Sequence, residues 1–272
     1  GGTVLTISGT VLDPESNTIR CEFGETAVLG TYLAMGTASC TVPARSVSGV
    51  VKVRVIEGDG GIALEGEQPY LYYQAPTVVG IQPSRGLIAG GTSVSVVGSG
   101  FVDGGLQCRF GVNEVVAGRS AEWISSTALA CVAPVSVSGP GIVGVEVSVN
   151  DGADFTADGK QFLYEVGATV DALRPSYGVS GESGQVVTVL GRHFEQTGEL
   201  SCRFGMSGHV RGLYMTSTMV ACSAPASGAG TVAVTISTNG VDSRRGSQPF
   251  TFGLAFAVPE ASPSKGPVSG GR

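Results

Sequence analysis

Short runs of alternating apolar and polar residues recur along the whole chain. The clearest are Val51–Val55, Val143–Val147 and Val232–Ile236, in which every second residue is valine or isoleucine. A period of two places successive side chains on opposite faces of a β-strand, and glycine, proline, asparagine or aspartate fills the gaps between runs. The most helix-like stretch, Thr127–Ala130, is short and precedes a cysteine expected on a strand. The pattern therefore predicts an all-β fold.

The same ordered set of sequence features occurs three times. Each copy has a small-residue lead before a strand, then Cys-x-Phe-Gly, Cys-x-x-Pro, an alternating strand and a closing aromatic-x-aromatic triplet. The leads start at Gly1, Gly90 and Ser183, and the triplets start at Tyr70, Phe162 and Phe250. Cys-x-Phe-Gly starts at Cys21, Cys108 and Cys202, and Cys-x-x-Pro starts at Cys40, Cys131 and Cys222. The glycines at the end of the strand that follows each lead, Gly9, Gly98 and Gly191, lie 89 (98 − 9) and 93 (191 − 98) residues apart. Roughly ninety residues of short strands suit a sandwich of about seven strands.

The chain resembles the IPT/TIG family of immunoglobulin-like domains in these motifs. It also resembles the family in a Pro-Ser-x-Gly sequence that precedes the leads of the second and third copies. The resemblance covers nearly the whole chain and implies three tandem immunoglobulin-like β-sandwiches in a rod. We predict repeat 1 over residues 1–75, repeat 2 over 76–166 and repeat 3 over 167–253, with 254–272 as the first strand of a following repeat. The family includes ectodomain spacers, adhesion modules, companions of catalytic domains and parts of some nuclear transcription factors, so the fold leaves the function open.

The six cysteines fall two to a repeat, at matching places. Because each pair recurs in register, we predict the disulfides Cys21–Cys40, Cys108–Cys131 and Cys202–Cys222. The alternative is three pairs of buried free thiols, but unrelated core cysteines would not recur in register. Structural disulfides persist in oxidising compartments, so the chain is predicted to be extracellular or on a cell surface.

The two ends of the chain do not match the repeats. Pro-Ser-x-Gly starts at Pro83 and Pro175, and a third copy at Pro263 opens a repeat that is not completed, whereas repeat 1 begins at its glycine-rich lead without a first strand. We predict an assembly strand that comprises Leu254, Phe256, Val258, Pro263, Gly266, Gly270 and Gly271, and an acceptor edge that comprises Gly1, Gly2, Thr3 and Val4. Either the chain is cut from a longer array, or the surplus strand of one molecule completes repeat 1 of the next, head-to-tail.

Composition narrows the classes of partner. The net charge is −6, and no cluster of lysine and arginine is visible, so no nucleic-acid partner is expected. No stretch of eighteen apolar residues is present, so this segment contains no membrane span. Charged residues make up only 14% of the chain, and such a surface is typical of a protein covered by neighbouring copies, adjoining repeats or glycans.

Few residues suggest chemistry. His193 and His209 are interpreted as exposed loop residues, because neither has cysteine, serine and acidic residues arranged around it in sequence as a catalytic histidine would. Three aspartates between Asp151 and Gly159 offer oxygen ligands for calcium, but the spacing matches no EF-hand and the other repeats lack the set, so a solvated loop is preferred. Trp123, the only tryptophan, is assigned to core packing over a role as a sugar-binding platform. We therefore predict no catalytic residue, no metal, no cofactor and no enzyme activity.

The sequence leads to one main functional hypothesis and two alternatives. The main hypothesis is an extracellular structural or adhesive protein that assembles head-to-tail into a filament, sheath or surface appendage. The first alternative is a ligand-binding ectodomain fragment of a cell-surface receptor, which requires a local patch of aromatic residues and arginine. The second alternative is an accessory module of a polysaccharide-active enzyme, which requires a line of exposed aromatic residues.

Overall fold

The computed structural model describes residues 1–9, 12, 18–58, 62–63, 66–111, 114–115, 121–243 and 248–254. Every regular element within these ranges is a β-strand, which confirms the all-β prediction. The chain divides into two compact units. One comprises Gly1–Ser84, Ser93–Val137 and Ile142–Leu163, and the other comprises Arg85–Thr92, Ser138–Gly141 and Tyr164–Arg272. The first unit thus holds repeat 1 with most of repeat 2, and the second holds repeat 3.

The described part of repeat 1 folds into seven strands: β1 Val4–Ser8, β2 Ile19–Phe23, β3 Thr26–Ala34, β4 Thr37–Thr41, β5 Gly49–Glu57, β6 Ile62–Ala63 and β7 Gln68–Tyr72. They pair in the order β1-β4-β3-β2-β5-β6, with β7 on β5. Strand β3 pairs with β2 through Thr26–Leu29 and with β4 through Gly30–Ala34, so one long strand joins the two layers of the sandwich.

Repeat 2 contributes nine strands within the described ranges: β8 Thr77–Gln82, β9 Arg85–Leu87, β10 Ser93–Ser99, β11 Gln107–Phe110, β12 Glu114–Val115, β13 Ala121–Ser125, β14 Ala128–Val132, β15 Gly141–Ser148 and β16 Lys160–Glu165. One sheet has the order β13-β14-β10-β8, and β11 pairs with β12 and β15 in the other. Ala128–Val132 is a strand, as its cysteine indicated.

Repeat 3 shows the complete arrangement among its described residues, with eight strands: β17 Thr169–Arg174, β18 Tyr177–Val179, β19 Val186–Arg192, β20 Ser201–Phe204, β21 His209–Thr216, β22 Met219–Ser223, β23 Gly230–Ser237 and β24 Gln248–Gly253. The order is β17-β19-β22-β21-β20-β23-β24-β18. The first strand of the repeat is split by Pro175, so that β17 pairs antiparallel with β19 and β18 pairs parallel with β24.

A buried disulfide crosses between the layers of each repeat. Cys21 on β2 is bonded to Cys40 on β4, with the Cα atoms 6.3 Å apart, and Cys202 on β20 is bonded to Cys222 on β22 in the same way. Cys108–Cys131 joins β11 to β14. These are the pairs predicted from the repeat register, and every one of the six sulfur-bearing residues is at most 2% exposed.

The motif Cys-x-Phe-Gly also has a packing role. Its phenylalanine meets the first aromatic residue of the closing triplet edge-on in every repeat, with ring centroids 5.7 Å apart for Phe23–Tyr70, 5.2 Å for Phe110–Phe162 and 5.4 Å for Phe204–Phe250. Such pairs add about 1 kcal/mol beyond their buried area. The glycine that follows has a positive φ, 63° at Gly24, so it turns the chain where other residues would be strained.

Repeat 1 differs from the other two in the pairing of the strand that follows the lead, which is β1 in repeat 1, β10 in repeat 2 and β19 in repeat 3. In the described residues β1 pairs only with β4, whereas β10 pairs with β14 and β8, and β19 pairs with β22 and β17. The other edge of β1 therefore has no strand partner among the described residues. Apart from Leu254, which is exposed, the predicted assembly strand lies outside the described residues.

Removing one disulfide is expected to destabilise its own repeat. In Cys108→Ala/Cys131→Ala, the free energy of unfolding of repeat 2 should fall by about 3 kcal/mol, because a closed loop of 23 residues is released in the unfolded chain. Trp123, the only tryptophan, reports the unfolding of this repeat by fluorescence in urea. Cys21→Ala/Cys40→Ala is the matched control and should shift the tryptophan transition much less. An unchanged midpoint in the first variant would contradict a stabilising role.

Candidate functional site: repeat junctions and an open groove

The predicted acceptor edge continues β1 towards the N-terminus. The Gly2 amide donates to the Val42 carbonyl at 2.8 Å, and the Val42 amide donates to the Thr3 carbonyl at 2.9 Å. Val4 is 62% exposed. The backbone of the predicted acceptor edge therefore already forms hydrogen bonds with β4 and with Val42, the residue that follows it.

A groove of about 360 Å³ opens beside β1, between this strand and the strands β5 and β7. Its lining is mainly apolar and includes Leu5, Ile7, Val53, Val55 and Tyr70. Sequence reasoning named Gly1–Val4 and missed these groove residues. A possible signal is that the described residues contain no strand before β1, whereas β8 precedes β10 and β17 precedes β19.

The other repeats show what normally covers these positions. Cross-strand register places Val94 and Val187 at the position of Leu5, because all three lie opposite the second cysteine of their repeat. Val94 and Val187 are fully buried, but Leu5 is only half-buried. Likewise Phe162 and Phe250 are fully buried, and the equivalent Tyr70 is not. The groove thus occupies the place that a first strand takes in repeats 2 and 3.

Within the first unit, side chains join repeat 1 to repeat 2. The Thr3 hydroxyl donates to Asp154 at 2.6 Å, and Asp154 also accepts from the Asn150 amide at 2.9 Å. A cleft of about 300 Å³ lies beside this contact, lined by Tyr72, Tyr73 and Phe155 among others. Burial, followed by the charge of Asp154, raises the pKa of Tyr73. Most residues that line the cleft are apolar or aromatic, and the hydrogen bond between Thr3 and Asp154 lies beside them. Such a surface is typical of a contact between neighbouring modules.

The aspartates of the loop 151–159, which we name the acidic loop, and the nearby Glu146 accept hydrogen bonds from protein groups. Glu146, 9% exposed, accepts hydrogen bonds from the Thr156 hydroxyl at 2.5 Å and from the Gly159 amide at 2.7 Å. Asp158 accepts from the Val78 amide at 2.6 Å, away from the contact of Asp154 with Thr3. No group of three or more potential metal-ligating side chains occurs in the part of the chain that the structure describes.

In the second unit, a buried carboxylate holds segments of repeats 2 and 3 together. Glu165, whose side chain is 7% exposed, forms an ion pair with Arg85 at 3.0 Å and accepts a short hydrogen bond from the Thr238 hydroxyl. The same Arg85 nitrogen lies 2.5 Å from Glu195, and the Arg85 carbonyl accepts from the Asn239 side-chain amide at 3.0 Å. We name these residues the Glu165 network. Sequence reasoning missed Glu165, although its position directly after a closing aromatic triplet was a possible signal.

Burial raises the pKa of Glu165. The Thr238 hydrogen bond and the positive charge of Arg85 oppose this shift, while the negative charge of Glu195 adds to it. The carboxylate is therefore destabilised by desolvation, and its neighbours compensate only in part. In this network, Arg85 and Glu165 of repeat 2 bind Glu195 and Thr238 of repeat 3.

The assignment of Trp123 to the core is wrong. Trp123 lies on β13 and is 41% exposed, and its indole N–H donates to the Phe101 carbonyl at 3.3 Å. The equivalent residue in repeat 1 is Tyr32, because both pair two residues before the second cysteine. β13 is the edge strand of its sheet, so Trp123 has a neighbouring strand on one side only.

The two histidines are both exposed, as predicted, but only one lies in a loop. His193 has φ 59° and follows β19, at the place that Gly100, with φ 74°, takes in repeat 2. His209 is the first residue of β21, and its Nδ1 lies 3.1 Å from the Ser201 hydroxyl. The assignment of His209 to a loop is therefore wrong. The turn before β21 is too short to be recognised from the sequence pattern.

Fold and contacts define the class of this protein as a tandem array of disulfide-closed β-sandwich modules. The model of the IPT/TIG domain matches residues 1–72, 76–164 and 168–252, and the chain belongs to this family.

Proteins with related sequences are much longer than this chain. Fibrocystin-L of Mus musculus is 29% identical over 185 residues, which are 66% of this chain and 4% of that protein. Plexin-A3 of Homo sapiens is 27% identical over 147 residues, which are 53% of this chain and 7% of that protein. A solved structure of the plexin A4 full extracellular region matches 93% of this chain and 23% of its own, at 17% identity with a TM-score of 0.51, and shows the fold alone.

The disulfides also fix the compartment. Buried structural disulfides are maintained in oxidising surroundings, and all six cysteines of this chain are disulfide-bonded. The chain is an extracellular or cell-surface protein. Within the described residues, no helix has the length and the apolar character needed to cross a bilayer.

The raised pKa of Glu165 predicts a pH dependence of stability with a definite sign. The folded protein retains a proton that the unfolded chain, with a pKa near 4.5, has already lost, so the contribution of Glu165 to stability falls as pH rises above that value. The difference in unfolding free energy between the wild type and Glu165→Gln should therefore decrease from pH 4 to 8, measured by chemical denaturation. Glu182→Gln, at an exposed glutamate of repeat 3, is the control. A difference that increases with pH would contradict this assignment.

Proposed function

We propose that this chain is a segment of the ectodomain of a cell-surface receptor, in which three IPT/TIG modules act as non-catalytic binding and spacing units. The observation that carries the proposal is that the same buried disulfide closes all three modules of a family array. Its sequence similarity to fibrocystin-L and to plexin-A3 supports the receptor hypothesis better than the filament hypothesis.

The polar groups of the chain support a role without chemistry. The buried carboxylates Glu57, Glu146 and Glu165 all serve as hydrogen-bond acceptors inside or between modules, and Glu57 accepts from the Tyr32 hydroxyl. Such groups stabilise a defined arrangement of neighbouring segments because an unpaired buried carboxylate would be costly. We infer that these carboxylates hold binding surfaces in register along the ectodomain.

The ectodomain proposal predicts that the chain matures in the secretory pathway. With a secretion signal and a heterologous membrane anchor, the full chain should reach the surface of mammalian cells, with its cysteines unreactive to maleimide until a reductant is added. Cys108→Ala/Cys131→Ala should be displayed less, because repeat 2 loses about 3 kcal/mol. Surface display with reactive thiols in the wild-type chain would count against the proposal.

A binding experiment separates the receptor from the polysaccharide alternative. The soluble full chain should bind saturably to intact cells, and trypsin treatment of those cells should remove the binding, because a receptor ectodomain recognises proteins. The accessory-module alternative predicts instead that the chain is retarded in polysaccharide affinity gels and that Trp123→Ala abolishes the retardation. Retardation that depends on Trp123 would overturn the receptor proposal, and Tyr177→Ala, at another exposed aromatic residue, is the control.

A further inference from the structure

One hydrogen bond recurs where a repeat meets the next. The Thr3 hydroxyl, in the lead of repeat 1, donates to Asp154 of repeat 2 at 2.6 Å. The Thr92 hydroxyl, in the lead of repeat 2, donates to Asp242 of repeat 3 at 2.6 Å. The first pair lies within the first compact unit and the second pair within the second unit. The same contact therefore forms twice, in separate parts of the molecule.

In each case an asparagine holds the aspartate. The Asn150 side-chain amide donates to the Asp154 carboxylate at 2.9 Å, and its Oδ1 accepts from the Asp154 backbone amide at 3.0 Å. Asn239 forms the same two bonds with Asp242, each at 2.8 Å. The aspartate lies four residues after the asparagine in one loop (154 − 150) and three in the other (242 − 239). The arrangement is thus kept although the loops differ in length.

Both loops begin with Ser-x-Asn at the same place in the fold. Ser148 and Ser237 directly follow the residue that pairs with the first cysteine of their repeat, and they are 0% and 1% exposed. Their hydroxyls donate to the asparagine Oδ1 at 2.9 Å and 3.1 Å. Because Oδ1 accepts these bonds, the side-chain nitrogen is the atom that faces the aspartate. We name the segments 148–154 and 237–242 the Ser-x-Asn loops.

The two leads present their threonines from equivalent positions. Thr3 and Thr92 each precede the strand residue that pairs with the residue after the second cysteine. The glycine before each threonine has a positive φ, 106° at Gly2 and 88° at Gly91, which other residues rarely adopt. The sequence Gly-Gly-Thr therefore combines the turn of the lead with the hydroxyl group of the contact.

Neither the threonine nor the asparagine is required for the fold of a single module. Repeat 3 has Gln185 at the position of the threonine, and its side chain donates to the Tyr177 carbonyl of the same repeat at 3.0 Å. Repeat 1 has Ile56 and Gly58 at the positions of the serine and the asparagine. Both repeats form the sandwich without these groups. The threonine and the Ser-x-Asn loop are therefore associated with the contact between modules.

The two contacts differ in burial. Thr92 and Asn239 are 0% and 4% exposed, whereas Thr3 is half-buried and Asp154 is exposed. A hydroxyl that donates to a carboxylate forms a stronger bond than one that donates to a neutral group. Water can replace a lost donor at an exposed carboxylate more readily than at a buried one. The second contact should therefore contribute more than the first.

We propose that each Ser-x-Asn loop is a docking site for the threonine of the preceding lead, and that this matched pair holds successive IPT/TIG repeats of the chain together. The partner that such a loop fits is a module whose glycine-rich lead ends in threonine. This pairing goes beyond the receptor function proposed above and does not depend on it.

Hydrogen exchange of the full chain, measured by mass spectrometry, tests the contact. Thr3→Val removes the hydroxyl at nearly constant volume and should speed exchange across residues 150–156 about threefold. Thr92→Val should speed exchange across 239–243 about tenfold, because this contact is buried. Thr3→Ser and Thr92→Ser keep the hydroxyl and should exchange as the wild type does. Unchanged exchange in both valine variants would overturn the proposal.

A double variant tests whether the Thr3 hydroxyl acts through Asp154. Asp154→Ala alone should speed exchange across 150–156, and Thr3→Val in that background should add nothing. Thr6→Val, the same change at an exposed threonine of β1, is the control and should leave exchange in this segment unchanged. Effects of Thr3→Val and Asp154→Ala that add in full would mean that the hydroxyl acts elsewhere, and would refute the assigned pair.

A distance measurement tests whether the contact holds repeats 1 and 2 together. Nitroxide labels at Thr31→Cys and Glu122→Cys, two exposed positions on β3 and β13, report the distance between these repeats by pulsed electron paramagnetic resonance. The distance distribution should broaden in Thr3→Val and keep the wild-type width in Thr3→Ser. An unchanged width in Thr3→Val would mean that the hydroxyl orders the loop alone, and would overturn the docking role.

Discussion

The contact on which each repeat depends is the buried bond between its two sheets. A sandwich of fewer than one hundred residues buries limited apolar area, and 43 glycines in the chain reduce it further. The disulfide ties a strand of one layer to a strand of the other, and beside it an edge-on aromatic pair joins the strand of Cys-x-Phe-Gly to the last strand of the repeat. Together they fix the distance between the layers at the centre of the core. The strands around them can then vary in sequence.

The first strand of each repeat closes the side of the sandwich. In repeats 2 and 3 it covers a row of valines and a phenylalanine, which are fully buried, and it comes close enough to require glycine at one point. In repeat 1 the equivalent Leu5 is only half-buried, and among the described residues a Cβ atom on Gly9 would meet only Leu12. Comparison of the described residues of the three repeats therefore shows which side chains the first strand covers.

Carboxylates in this protein act mainly as hydrogen-bond acceptors that fix segments of the chain. Glu146 organises the acidic loop, Asp154 accepts from Thr3 of the neighbouring repeat, and Glu165 is bound by Arg85 and Thr238. The calcium hypothesis instead rested on the aspartates between Asp151 and Gly159, of which Asp154 accepts from Thr3 and Asp158 from the Val78 amide. Their oxygens are directed to different partners, so proximity in the chain did not mean proximity of ligands.

The sequence by itself determined the all-β class, the three family modules and the pairing of the cysteines, because these depend on features that recur in register along the chain. Tertiary structure alone decided the exposure of Trp123, the placement of His209 on a strand, the Glu165 network and the groove residues. Exposure depends on which face of a strand meets another layer, and a network between modules joins residues about 150 positions apart, such as Arg85 and Asn239. Periodicity records the local conformation of a strand, but it contains no information on what lies across from it.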